Sequence, residues 1–232
     1  MPIAKDGLRF ILMFFVAGFV LSLFPYVSCR FLGGVFILLS FFCIYFFRDP
    51  DRKPADDPTL VLAPGDGRVL EVTEGPNPYW GGNAKIIRIF LSIFDIHVQR
   101  SPIAGQVVRV TYKKGKFLDA RNPKACIENE QNSIIIEGPH CKAAVVQIAG
   151  FIARRIVCWV FQGKSVAMGE RLGLIRFGSQ VDIFLPLDVE VCVANGDRVT
   201  SGVSVIAICK RALGRSLLKA APQRSLKDGL HG

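Results

Sequence analysis

The chain has 232 residues, 50% of them hydrophobic, and a formal net charge of +10; that length supports one good core with an appendage, and a mean hydropathy of +0.36 is too apolar for an ordinary soluble domain. An excess of positive charge calls for nucleic acid, an anionic lipid surface or an acidic small molecule, and the lack of zinc-finger spacing, an RNA-binding signature or a recognition-helix pattern sets nucleic acid aside. Seven scattered cysteines (Cys29, Cys43, Cys126, Cys141, Cys158, Cys192, Cys209) without a C-x-x-C pair argue against a disulfide framework or a metal site, and read as reduced, buried thiols in a reducing compartment.

The apolar excess is local: between Leu8 and Phe47 the only charges are Arg9 and Arg30. Residues 1–47 read as a membrane anchor of two hydrophobic segments, 8–29 and 31–47. The first is about long enough to cross a hydrocarbon core and the second is at the short end of that range. Pro25 and Arg30 lie near the bend, and a re-entrant or interfacial pair remains an alternative to two spans. Lys5 and Arg9 precede the first segment, while Arg48, Arg52 and Lys53 follow the second. The positive-inside bias then puts both ends in the cytoplasm, with the large domain on the inner face of the cell membrane. "RDPDRKPADDP" opens a polar, proline-rich linker over 48–59.

From residue 60 to 209 the pattern is one of short strands rich in Val and Ile, separated by Gly, Asn or Pro: "LVLAPGDGRVLEV", "KIIRIFLSIF", "GQVVRVTYKKG", "NSIIIEG", "KAAVVQIAG", "RIVCWV" and "VEVCVA". No segment outside the N-terminus carries a convincing helical period. The fold class expected is mainly β, a sandwich or barrel-sandwich-hybrid-like domain carrying an N-terminal hydrophobic helical hairpin. "APGDGRVLEV" and "VANGDRVTSGVSVIA" both place a Gly-Asp turn before a Val-rich strand, and the second resembles the hairpins of lipoyl- and biotinyl-type domains. The attachment lysine of those domains is missing. The basic tail 210–232 has lost the strand pattern; it is either a frayed end or a cationic segment held on anionic lipid.

Few residues are equipped for chemistry. His231 lies in the tail and His140 on a loop or strand edge. His97, in "FLSIFDIHVQRSPIAG", sits where a strand meets a loop and is flanked by Asp95 and Arg100, a setting suited to a base. Asp66, in "APGDGRV", is the kind of residue that caps a turn; placed near His97 it would fix the imidazole tautomer. Ser179 follows Gly178 in "RFGSQVDIF", which is not a G-x-S-x-G elbow. The plain reading is a turn. The reactive reading is a serine held against the preceding carbonyl, where Gly gives an unhindered approach; it turns the amide into an ester, which eliminates and leaves a pyruvoyl N-terminus.

"APGDGRV", "FLSIFDIHVQRSPIAG", "ENEQNSI", "VVQIAGFIARRI" and "GERLGLIRFGSQVDIFLP" occur in the order seen in the short form of phosphatidylserine decarboxylase proenzymes, and the chain resembles that family from about Phe47 to Ile208. The resemblance implies cleavage between Gly178 and Ser179 and a pyruvoyl group made from Ser179. Its products are a β chain 1–178 and an α chain 179–232 that stay together as a heterodimer. It places Asp66 and His97 in the motifs that hold the family's acid and histidine. The longer branch carries a second histidine three positions after the first, where this chain has Arg100; both maturation and decarboxylation then fall on His97. Arg100 has two readings, contact with lipid phosphate or carboxylate and a structural ion pair. The implied reaction converts phosphatidylserine in the membrane to phosphatidylethanolamine, needs neither metal nor pyridoxal phosphate, and leaves homo-oligomerisation open. The competing reading is a non-catalytic, membrane-tethered β adaptor with Ser179 as an ordinary turn residue.

Overall fold

The computed structural model describes residues 2–116, 128–150, 155–176 and 179–209, with the side chain of Ser179 outside the description. Among the described residues, two helices, α1 (Leu8–Ser22) and α2 (Val27–Phe46), are followed by fourteen short strands: β1 Leu60–Leu62, β2 Gly67–Pro76, β3 Asn83–Leu91, β4 Val98–Arg100, β5 Gly105–Lys113, β6 Gln131–Glu137, β7 Lys142–Ala149, β8 Ile156–Cys158, β9 Ser165–Val166, β10 Arg171–Ile175, β11 Ser179–Leu185, β12 Glu190–Val191, β13 Arg198–Val199 and β14 Val205–Ile208. The protein is mainly β, as its Val- and Ile-rich runs require.

The helices form an antiparallel hairpin joined at Leu23–Tyr26, so Pro25 sits in the turn and Arg30 inside α2. This shifts the expected boundaries. α1 has 15 residues, about 22 Å at 1.5 Å per residue, whereas the 20 residues of α2 reach about 30 Å, the thickness of a hydrocarbon core. Among the described residues α2 is the helix long and apolar enough to cross a membrane, by length and composition. The helices approach closely at Gly18 and Gly33: a Cβ on Gly33 would lie 2.9 Å from the Gly18 carbonyl oxygen and 2.6 Å from Ser22 Oγ. Small residues that let backbones meet are the packing device of helices in lipid. The outward faces carry Leu12, Phe15, Phe19, Phe31, Leu38 and Phe41, all exposed.

The strands form one large sheet in the order β13-β2-β3-β11-β7-β6-β5-β9 and two three-stranded sheets, β4-β10-β8 and β1-β14-β12. The large sheet curls into a half-barrel. Alternation along β11 shows why both its faces are covered: Val181, Ile183 and Leu185 enter the main core with Ile87, Ile89, Val145 and Leu172, while Phe184 joins Ile86, Ile135, Ala144 and Ile148 on the other face. The two similar Gly-Asp segments noted in the sequence pair with each other. Arg68 and Gly67 of β2 lie opposite Arg198 and Val199 of β13, and the Val69 amide donates to the Asp197 carbonyl at 2.9 Å. Gly67 is needed there, because its φ is +153° and a Cβ would fall 2.0 Å from the Phe90 carbonyl oxygen.

A third cluster joins hairpin to domain. Phe46 and Phe47 at the end of α2 are fully buried with Ala4, Ile96, Val98 and Leu174. The segment that follows is held against the domain by ion pairs rather than spanning a gap: Asp49 is buried between Arg100 (2.8 Å) and Arg171 (2.5 Å), and Arg52 reaches Asp66. Composition alone made it read as a polar linker between membrane and domain. The tail 210–232 lies outside the described residues, as does Cys126. The six described cysteines are free thiols, as expected, but Cys43 and Cys209 alone among them are buried.

Candidate active site

The chain passes between the large sheet and the sheet β4-β10-β8 at two neighbouring places. β3 ends at Leu91 and the chain crosses through 92–97 into β4; β10 ends at Ile175 and β11 begins at Ser179. The crossings are locked together at both ends, since Leu91 pairs with Ser179 in one sheet and Val98 pairs with Leu174 in the other. Between them the Ile175 amide donates to the His97 carbonyl at 3.2 Å. His97 therefore stands beside the segment that leads into Ser179, although 82 positions separate the two residues in sequence (179 − 97). Gly178 lies outside the described residues; the backbone of Ser179 sits in the middle of the large sheet, between Leu91 and Ala149.

His97 is fully buried, with the Phe46 ring 4.3 Å away centroid to centroid. Its Nδ1 is 2.9 Å from the Asp95 carbonyl oxygen. A carbonyl can only accept, so Nδ1 carries the proton and Nε2 is the basic nitrogen. Burial pushes the imidazole pKa down to about 4, partly opposed by the Asp95 carbonyl and carboxylate. The ring is neutral at physiological pH. Asp95 itself shapes the crossing: its carboxylate accepts from the Ser92 amide (2.9 Å) and hydroxyl (2.7 Å) and from Arg198 (2.7 Å). From the end of α2, Arg48 donates to the Phe94 carbonyl at 2.6 Å.

Asp66 is engaged elsewhere. Its carboxylate accepts from both terminal nitrogens of Arg52, at 2.5 and 2.8 Å, and from the Ser201 amide at 2.8 Å. On His97 it acts as a charge, the smallest of the influences that set the ring's pKa, while the tautomer is fixed by the Asp95 carbonyl. Arg100 is buried; it donates to Asp49 (2.8 Å), to the Pro50 carbonyl (3.0 Å) and to the Gly169 carbonyl (3.1 Å). Of its two readings, the geometry is that of the structural ion pair. Asp66 and Arg100 thus belong to the frame, and His97 to the crossings.

Some polar residues that composition did not single out complete the site. Gln99 Nε2 donates to the His97 carbonyl (2.7 Å), Gln147 Nε2 to Gln99 Oε1 (2.8 Å), and Asn132 Nδ2 to Gln147 Oε1 (2.8 Å). All are buried, so each amide must find partners, and the chain of bonds fixes the His97 backbone from across the core. Gly173 leaves room for it, since a Cβ there would come 2.9 Å from Gln147 Nε2. An amide in the midst of "KAAVVQIAG" was the available signal. Asp182, three residues into β11, is buried beside Gln180 and Arg88; burial raises its pKa to about 6. No cluster of three or more His, Cys, Asp or Glu side chains is placed to hold a metal ion among the described residues.

The sequence was compared with known proteins. The family model described as phosphatidylserine decarboxylase matches residues 39–207. A phosphatidylserine decarboxylase proenzyme of Citrifermentans bemidjiense is 42% identical over 211 residues, covering 89% of this chain and 96% of that protein. The family match takes in both crossings and the strands that frame them, and on it the chain belongs to the phosphatidylserine decarboxylase family and is a carboxy-lyase.

Proposed function

We propose that the chain cleaves itself between Gly178 and Ser179 and then decarboxylates phosphatidylserine to phosphatidylethanolamine with a pyruvoyl group derived from Ser179. The supporting observation is the pairing of the two crossings, which sets a buried, neutral histidine against the segment leading into Ser179. The residues suit such a group: a break before Ser179 falls where the chain changes sheets, so it cuts no strand ladder, and the new terminus stays bonded between β3 and β7.

In maturation the Ser179 hydroxyl oxygen attacks the Gly178 carbonyl carbon and its proton passes to His97 Nε2. The amide nitrogen leaves, giving an ester. Loss of the Ser179 α-proton then expels the Gly178 carboxylate, and hydrolysis releases ammonia. The pyruvoyl carbonyl supplies an electron sink for the pair left when CO₂ departs, which no ordinary side chain offers. His97 Nε2 takes up a proton released by the substrate's ammonium group and returns it to the α-carbon, and its burial keeps bulk water from competing. Asp95 and the Gln99–Gln147–Asn132 chain orient the ring; Asp66 supports the turn beside it through Arg52.

The anchor over 1–47 holds the domain of residues 60–209 on the cytoplasmic face of the cell membrane, where the anionic substrate lies and the positive charge concentrates it. Ser179→Ala tests the reading. On a denaturing gel the variant is expected to run as one band near 25.6 kDa without decarboxylase activity, while the parent gives a large and a small chain. Normal processing of the variant would remove Ser179 from the mechanism.

A further inference from the structure

Arg176, two residues before Gly178, is held in an unusual balance. It is buried, and its Nε has no hydrogen-bond partner. The acid it faces, Asp6, stands 3.6 Å from Nη2, longer than a good hydrogen bond. Asp6 is shared, since its other oxygen accepts from the Trp159 indole at 3.2 Å. Like charge gathers around Arg176. Arg9 and Arg176 both lie over the Phe10 ring, 5.2 and 5.4 Å from its centroid, the carbonyl of Arg155 accepts from the Arg176 amide, and the charges of Arg9 and Arg155 both act on Arg176. A buried donor unmet, beside a carboxylate shared with an indole, describes a site short of one anion among the described residues. Asp6 also borders a cleft of about 490 Å³ with Lys5, Asp49, Trp159 and Arg171, and Arg176 meets that cleft through Asp6.

We propose that Arg176, assisted by Arg9 and Arg155, binds the phosphodiester of the glycerophospholipid substrate, with Asp6 holding the place when the lipid is absent. The assignment rests on the function proposed above. Two further features agree with it. Arg9 begins the first turn of α1, so the cluster lies at the foot of the apolar hairpin, the level at which phospholipid phosphates sit. Three residues of chain span at most about 11 Å, so the side chain of Arg176 and the terminus formed at Ser179 are within reach of a single head group.

The test separates binding from turnover by using the product, phosphatidylethanolamine, which keeps the phosphodiester but lacks the serine carboxylate. Titrated in neutral detergent micelles against the full chain in a Trp80→Phe background, it should change the emission of Trp159. Arg176→Gln should weaken this binding by roughly 10–100-fold, the value of a hydrogen-bonded charge, and Arg176→Lys by less. A methylphosphonate analogue without the negative charge should bind weakly and equally to parent and variant. In turnover of phosphatidylserine, Arg176→Gln should raise KM with kcat little altered. Equal binding of phosphatidylethanolamine to parent and Arg176→Gln would overturn the proposal, as would equal losses for the charged and neutral lipids. Saturation by inorganic phosphate at the concentrations where lipid binds would show a free-phosphate site and overturn it too. Should Arg176→Gln fail to fold, the exposed pair Arg9→Gln and Arg155→Gln replaces it: a combined loss of several-fold is expected, and unchanged affinity refutes the site. Because product binding is read without catalysis, failure here and failure of the pyruvoyl mechanism give different results.

Discussion

His97 and Asp182 are buried groups whose pKa values move in opposite directions, and the consequence is visible in stability. With a folded pKa near 4 against about 6.5 unfolded, His97 resists protonation that the unfolded chain accepts. Stability is therefore lost as pH falls from about 6.5 to about 4, to a total of roughly 3 kcal/mol. Asp182 holds its proton up to about 6 when folded, whereas an unfolded Asp releases it near 3.9. Its contribution is therefore largest at low pH and lost as pH rises through that window, again by roughly 3 kcal/mol. The two slopes nearly cancel between pH 4 and 6. Asp182→Asn removes one of them, so its Tm is expected to fall steeply, relative to the parent, on acidification from pH 6 to 4.5. Parallel Tm curves for variant and parent across that range would show that Asp182 does not titrate there.

At the scale of elements, the site exists because two strands change sheets in register, and the segment after α2 ties the hairpin to that junction. Asp49 is its central fastener, accepting from Arg100 and Arg171. Asp49→Ala leaves the Arg100 guanidinium buried without its carboxylate, a loss expected to cost about 3–5 kcal/mol in chemical denaturation; a change under about 0.5 kcal/mol would make the pair incidental. The strands β3, β5, β6 and β7 were legible in the sequence because their Val and Ile runs act locally. β4 was not: it is three residues long and is defined by its partner β10 rather than by its own pattern. The role of 48–58 was hidden for the same reason, since Asp49 meets side chains 51 and 122 positions away and composition there reports only polarity. His97 and Ser179 could be singled out as reactive types, but their joint role came to the sequence reading through resemblance alone. Asp66, which near His97 would fix the ring's tautomer, binds Arg52, and the Asp95 carbonyl accepts from the ring.

Across the whole molecule, the proposed cut divides the chain without dividing the fold. β11 lies between β3 and β7, β13 pairs with β2 and β14 with β1, so the C-terminal piece of 54 residues (232 − 178) stays woven into the N-terminal one after the peptide bond is gone. In the proposed reading, the apolar helix faces, the net positive charge and the reactive centre serve chemistry at a lipid surface together. The measurement that bears most directly on it is the intact mass of the purified protein under denaturing conditions. Two chains are expected, the smaller beginning at position 179, lighter by one ammonia than a serine-initiated fragment and resistant to amino-terminal sequencing. A single chain of 25.6 kDa, or a small fragment bearing a free serine amine, would contradict the account.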